Sequence, residues 1–205
     1  MTVRPVNILV DEVGVVFDRG ELDSTVSYDG ANVGNEYQII EGAPLSLLTA
    51  TKRLVPTKRS AVTATGGATS AVVPVLNAQY FKAGDVVTVG TNVNQTIASV
   101  NYANNQITLA ASITFLNNDP VFGAGTTAGG TNLGGSDIPM CFLCELVDMR
   151  VPPFGWIANQ LVKYVTAGGL QEQALRGDWA TIKPVFKTNN PVAAARFRYS
   201  SDFNR

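Results

Sequence analysis

The chain contains no histidine. That absence removes Ser–His–Asp and Cys–His nucleophilic sites and every histidine-ligated zinc or iron site. Charge is scarce as well: Asp, Glu, Lys and Arg make up 15% of the 205 residues and almost cancel, leaving a formal net charge of −1. No basic surplus is present to hold a phosphate backbone, so direct binding of nucleic acid is not expected. Long apolar runs are missing too. Stretches such as Met140 to Leu143 fall far short of the roughly 20 residues that cross a bilayer, so no membrane partner is expected. Met1-Thr2-Val3-Arg4-Pro5 is followed by Asp11, Glu12 and Asp18 rather than by a signal-peptide apolar core. The chain is therefore expected to be made and kept in the cytosol, or assembled there into something larger.

The chemistry that remains is thin. Asp85, Asp119, Asp137 and Asp178 are scattered through turns and form no local constellation. A hydrolase or transferase needs a titratable base poised in a pocket, so no enzymatic activity, catalytic residue or cofactor is expected. Cys141 and Cys144 make a CxxC, yet a structural zinc site wants four ligands, and residues three apart on a strand face opposite sides. The reading adopted is a buried strand carrying two small apolar thiols, with no metal site.

What is present is β structure. Between Phe81 and Phe122 short β-prone runs alternate with polar turns. Lys82-Ala83-Gly84-Asp85 is a turn; Val86–Val89, Thr96–Val100 and Gln106–Leu109 are predicted strands; Asn104-Asn105 and Asn117-Asn118-Asp119-Pro120 are turns; Val121-Phe122 is a last short strand. Apolar and small polar side chains alternate in the middle runs, the pattern of a strand with one buried face. Even spacing of this kind predicts a small barrel or sandwich. Val72–Val75 should open the unit as an edge strand, because Pro74 cannot donate to a ladder.

Two seams flank the unit: Thr57 to Thr69, rich in Ala, Thr and Gly, and Gly123 to Ser136, whose glycines predict flexibility. They suggest a module inserted into a host. The expected organisation is an extended N-terminal arm (1–36), a split β domain (37–60 and 137–188), an inserted β module with its glycine-rich linker (61–136) and a C-terminal tail (189–205). The fold class is mainly β, a small barrel or sandwich host with an inserted barrel-like module and one short helix. The arm reads either as a partly mobile extension or as a strand donor for a partner's sheet. In the host, Tyr37–Ile40, Pro44–Leu48 and Ile157–Thr166 are predicted strands, Ala167-Gly168-Gly169 a turn, and Leu170–Arg176 the helix, stopped by Gly177. Pro152-Pro153-Phe154-Gly155-Trp156 is a rigid turn whose aromatics either cap the core or anchor a partner. Arg196-Phe197-Arg198-Tyr199 alternates basic and aromatic residues, as a terminal edge strand or a cation–π contact surface would.

Gly84 to Gly90 with Thr96–Val100 and Ile107–Ala110 resembles a small β module common in tailed-bacteriophage structural proteins. Pro44-Leu45 through Thr49-Ala50-Thr51-Lys52 and Val55-Pro56, then Phe142–Asp148, Leu161–Val165 and Ala174-Leu175, are similar to the two halves of the head decoration, or capsid cement, family. The resemblance implies a virion structural protein on the outer surface of an icosahedral head. Its partners would be the major capsid protein and further copies of itself, as a homotrimer, bracing the shell. Val6, Ile8, Val10, Phe154, Trp156, Arg196 and Arg198 are the candidate capsid contacts. The alternatives are a tail, neck or fibre component, or a surface- or carbohydrate-binding β module.

Overall fold

The computed structural model describes residues 15–151 and 155–199. In chain order the strands are β1 (Val16–Leu22), β2 (Gln38–Ile39), β3 (Pro44–Leu47), β4 (Leu54–Pro56), β5 (Arg59–Ala61), β6 (Gly66–Pro74), β7 (Val86–Val89) and β8 (Asn92–Asn101). They continue as β9 (Gln106–Phe115), β10 (Pro120–Gly123), β11 (Pro139–Leu143), β12 (Val147–Asp148), β13 (Arg150–Val151), β14 (Trp156–Ile157), β15 (Gln160–Leu170) and β16 (Phe197–Tyr199). Helices α1 (Trp179–Asn189) and α2 (Pro191–Ala194) lie between the last two strands.

Two curled sheets organise the molecule. The first runs β1-β4-β3-β11-β15-β16, and an additional β1–β15 pairing closes five of its strands into a ring. Its interior is filled by Leu22, Ile39, Leu45, Leu54, Cys141, Leu143 and Val162. The second runs β5-β10-β7-β8-β9-β6, and a bridge between Val62 and Val75 draws its two ends together. Its core contains Val73, Phe81, Val87, Val89, Ile97, Ile107, Phe115 and Val121. Both interiors follow from period-2 alternation: on β9, for example, Ile107 and Leu109 point inward while Ala110 faces solvent. The β8–β9 hairpin turns where the sequence placed Asn104-Asn105, with Asn105 at φ 49°. Asn tolerates that left-handed conformation better than most residues.

β11 shows why its sequence is continuously apolar rather than alternating. Cys141 and Leu143 face the ring interior, whereas Phe142 faces a third core shared with Val165, Leu170, Phe186, Phe197 and Tyr199. Both of its faces are covered, one by the ring and one by α1 and β16.

Several expectations are corrected. Residues 1–14 lie outside the described residues, but the rest of the expected arm is built into the body. Val16–Leu22 is extended and pairs antiparallel with β15 over Val16–Leu22 against Ala167–Gln160. After it, Asp23, Ser27 and Asp29 are buried; Asp23 Oδ1 accepts from the Thr25 amide and hydroxyl at 2.9 and 2.6 Å, and Asp29 Oδ1 accepts from the Ala31 amide at 3.2 Å. The glycine-rich stretch after Phe122 is not a loose linker. Leu133 exposes no surface and joins Val26, Leu48 and Val55 in a small core that ties the stretch to the first sheet. The predicted Ala167-Gly168-Gly169 turn is the continuation of β15, paired with β16 through Gly168–Phe197 and Leu170–Tyr199. Phe197–Tyr199 of the expected C-terminal tail thereby joins the first sheet.

The predicted helix at Leu170–Arg176 is reduced to a single 3-10 turn at Glu172–Ala174, and the longer helix is α1. Pro184 and the β-branched Thr181, Ile182 and Val185 lower its intrinsic propensity. It forms because Asp178 caps the Thr181 amide and because Ile182 and Phe186, one turn apart, are fully buried.

Candidate functional site

Of the candidate contact residues, Val6, Ile8, Val10 and Phe154 lie outside the described residues. Trp156 sits on the β13–β14 hairpin with 62% of its surface exposed. Arg196 and Arg198 are exposed because β16 turns Phe197 and Tyr199 inward. The cations that meet the Tyr199 ring are therefore Lys183 and Lys187, at 4.7 and 4.9 Å from its centroid, rather than the neighbouring arginines. The structure does not bring these three residues together. Trp156 precedes Gln160 at one end of β15, while Gly168 donates to the Arg196 carbonyl at the other. Eight residues of strand, roughly 25 Å of path, separate the two places.

Between them lies a feature that residue-by-residue reading did not single out. The β1–β15 ribbon carries large apolar side chains in the open, interleaved with the exposed Asp18, Arg19, Glu21 and Lys163: Val16 is 52% exposed, Phe17 43% and Leu161 69%. Val162 turns into the ring, whereas Leu161, Lys163 and Val165 share the opposite face, on which Val165 is covered by the third core. Alternation within β15 thus leaves Leu161 and Lys163 outside. Lys163 lies over the Phe17 ring at 3.9 Å from the centroid, and its amide donates to Glu145 Oε1 at 3.1 Å. The exposed Leu146 follows directly in that turn. Val15, the first described residue of the chain, packs at Gly168, where an added Cβ would stand 3.0 Å from Val15 Cγ2. The preceding fourteen residues therefore join the body at the Arg196–Arg198 end of this ribbon.

A second feature is buried at the crossing between the sheets. Lys58 stands between β4 and β5; its amide donates to Ser136 and its carbonyl accepts from Gly123, holding the outgoing and returning chain segments side by side. Gly123 is required there, because a Cβ would come within 2.4 Å of Ser136 Oγ. The Lys58 side chain runs inward and exposes no surface. Its Nζ donates to Asp85 Oδ2 and to the Tyr80 carbonyl, each at 2.6 Å. Asp85 is equally buried; Oδ2 also accepts from the Lys82 amide at 3.0 Å, while Oδ1 finds no donor among the described residues. In sequence Asp85 reads as a turn residue and Lys58 as part of the seam that begins at Thr57. Only the fold, which brings the starts of β5 and β7 together across β10, makes a pair of two residues 27 apart in sequence.

Beside this pair is a hollow of about 330 Å³, lined by Thr25, Lys82, Gly84, Asp85, Thr127 and Thr131. Lys82 donates to the Thr25 carbonyl. Burial, aided by the nearby Lys58 charge, pushes its ammonium below the ordinary lysine value. A polar seam continues behind it: Gln79 Nε2 donates to both oxygens of the buried Asp29 at 3.0 Å, and Gln79 Oε1 accepts from the Gly177 amide. Burial pushes the Asp29 carboxyl above its usual value, against those hydrogen bonds.

The two cysteines are free and divided between faces, Cys141 inside the ring and Cys144 half-buried against the third core. Burial pushes the Cys141 thiol up strongly and the Cys144 thiol up to about 12, so neither is poised as a thiolate. No group of three or more His, Cys, Asp or Glu side chains is assembled for a metal among the described residues. No helix among them is long and apolar enough to cross a membrane. No family model matches the chain, and no curated protein matches it.

Proposed function

We propose that this chain is a structural protein of a tailed-bacteriophage particle, binding the outside of an icosahedral head and stabilising the shell. Its partners are the major capsid protein and two further copies of itself. The reading rests on the likeness of Pro44 through Lys52 with Val55-Pro56, and of Phe142–Asp148, Leu161–Val165 and Ala174-Leu175, to the head decoration family. The observation that carries it is the set of exposed apolar side chains on the β1–β15 ribbon, Val16 and Phe17 near the point where residues 1–14 join the body and Leu161 further along, mounted on a closed ring. Apolar surface on a rigid strand pair is suited to a flat protein partner: its burial yields about 25 cal/mol per Å², and β1 and β15 lose no backbone entropy in the process. The Val6–Val10 stretch adds main-chain hydrogen bonds to the capsid by strand addition. Repetition around a threefold axis and across a lattice makes individually weak contacts collectively strong.

The test is sedimentation of the purified protein with expanded, undecorated heads. The wild-type chain cosediments at saturating, lattice-limited stoichiometry. The Phe17→Glu/Leu161→Glu double variant binds at least tenfold more weakly with unchanged circular dichroism, since both side chains point away from the cores. Failure of the wild-type chain to bind heads refutes the reading; binding to purified tails instead replaces it with a tail role.

A further inference from the structure

The geometry points to a covalent bond where the buried ion pair stands: we infer that Lys58 and Asp85 condense to an intramolecular isopeptide linking the start of β5 to the start of β7. Neither side chain exposes any surface, and Nζ lies 2.6 Å from Oδ2. Two full charges held away from water carry a large desolvation cost, which a neutral amide of the same atoms does not.

The condensation balances without any other reactant. One ammonium proton passes to the carboxyl group, leaving a neutral amine beside a neutral acid. The Nζ lone pair then attacks Cγ, the N–C bond forms, a second Nζ proton moves to the departing oxygen, and the C–O bond breaks to release one water. The third nitrogen-bound hydrogen remains as the amide N–H.

The two carboxyl oxygens are already distinguished for these roles. Oδ2 is held by the Lys82 amide at 3.0 Å and stays as the amide oxygen. Oδ1 is buried without a donor among the described residues and is the oxygen that leaves, so its loss removes a polar atom that they leave unsatisfied. The Tyr80 carbonyl, 2.6 Å from Nζ, is placed to accept the remaining amide hydrogen. The released water departs through the hollow that borders Asp85. In sheet order β10 lies between β5 and β7, so the bond straps the second sheet across β10 and fastens it to the crossing segment at Lys58.

The experiment is intact-mass measurement of the denatured full-length protein, followed by a tryptic map. The expected mass lies about 18 Da below that of the sequence, one water lost in a covalent modification. The map yields a branched peptide joining Lys58 to Asp85, with no cleavage after Lys58. Asp85→Asn gives the same final mass as the wild type by losing ammonia instead of water, and Lys58→Met retains its full sequence mass. A wild-type protein at full sequence mass, with Lys58 and Asp85 recovered in separate peptides, overturns the proposal. So does a water loss that maps elsewhere, such as to a succinimide at Asp29-Gly30. Because the wild-type chain alone decides, a variant that fails to fold leaves the result intact.

Discussion

Phe142→Ala should detach the C-terminal cap from the ring. The Phe142 ring is fully buried and stands at the centre of an aromatic cluster. Its centroid lies 5.3 Å from Trp179, 5.7 Å from Phe186 and 5.3 Å from Phe197, each in edge-on geometry. Truncating a buried Phe to Ala costs about 3–5 kcal/mol, and edge-on pairs contribute about 0.5–1.5 kcal/mol each beyond their area. The upper half of the range, about 4–5 kcal/mol, is therefore expected. That is a large fraction of a total stability of about 5–15 kcal/mol. With a urea slope of about 2 kcal/mol per molar, the unfolding midpoint should fall by about 2 M. Phe142→Leu, which refills most of the volume, should cost only about 1–1.5 kcal/mol. Trp179 is a built-in local probe, so the assay is urea unfolding followed by its fluorescence in a Trp156→Phe background, with far-ultraviolet circular dichroism alongside. If α1 and β16 are held by this cluster, the fluorescence transition moves at least as far as the dichroism transition. A midpoint shift below about 0.5 M in Phe142→Ala would refute the idea that Phe142 carries the docking of the cap.

Other consequences are equally direct. Gly30→Ala should destabilise by about 1–3 kcal/mol through overpacking, because a Cβ would meet the Tyr102 ring at 2.1 Å. Most of that cost should vanish in a Tyr102→Ala background, which a double-mutant cycle of denaturation midpoints would check. Alkylation of the native protein by iodoacetamide at pH 8 should be at least about 100-fold slower than in urea, since a thiol near pKa 12 is almost never a thiolate there; equal rates would contradict the burial of both sulfurs. Asp29, raised by burial, contributes stability that is full below about pH 4 and is lost as pH rises through its folded value. Asp148 works in the opposite sense. The Arg150 guanidinium holds its carboxyl well below the usual range, so its contribution is present above about pH 4 and lost as pH falls. Asp29→Asn should accordingly flatten the fall of the urea midpoint on the alkaline side of about pH 4, leaving the acid limb to Asp148.

Local patterning was enough to place Val86–Val89, the β8–β9 hairpin and β11, because alternation, turn-forming Asn and Gly, and doubly apolar runs act over a few residues. The same rules determined that Cys141 and Cys144 would part to opposite faces. They also set the mainly β class of the chain. Tertiary structure decided the rest. Val16–Leu22 reads as an unattached β-prone arm until β15, some 140 residues later, supplies its hydrogen-bond partner. Trp179–Asn189 is a poor helix by propensity and forms because Phe142 offers Phe186 a place to bury. Glycines after Phe122 predict mobility, but a single leucine, Leu133, finds a core there and fixes the stretch. The pairing of Lys58 with Asp85, and the placing of Lys163 over the exposed Phe17 ring, are likewise properties of register between distant strands. Sequence specifies which side chains share a face of their own strand. Only the closed sheet specifies which strand lies opposite, and the polar and apolar contacts that distinguish this molecule are all of that second kind.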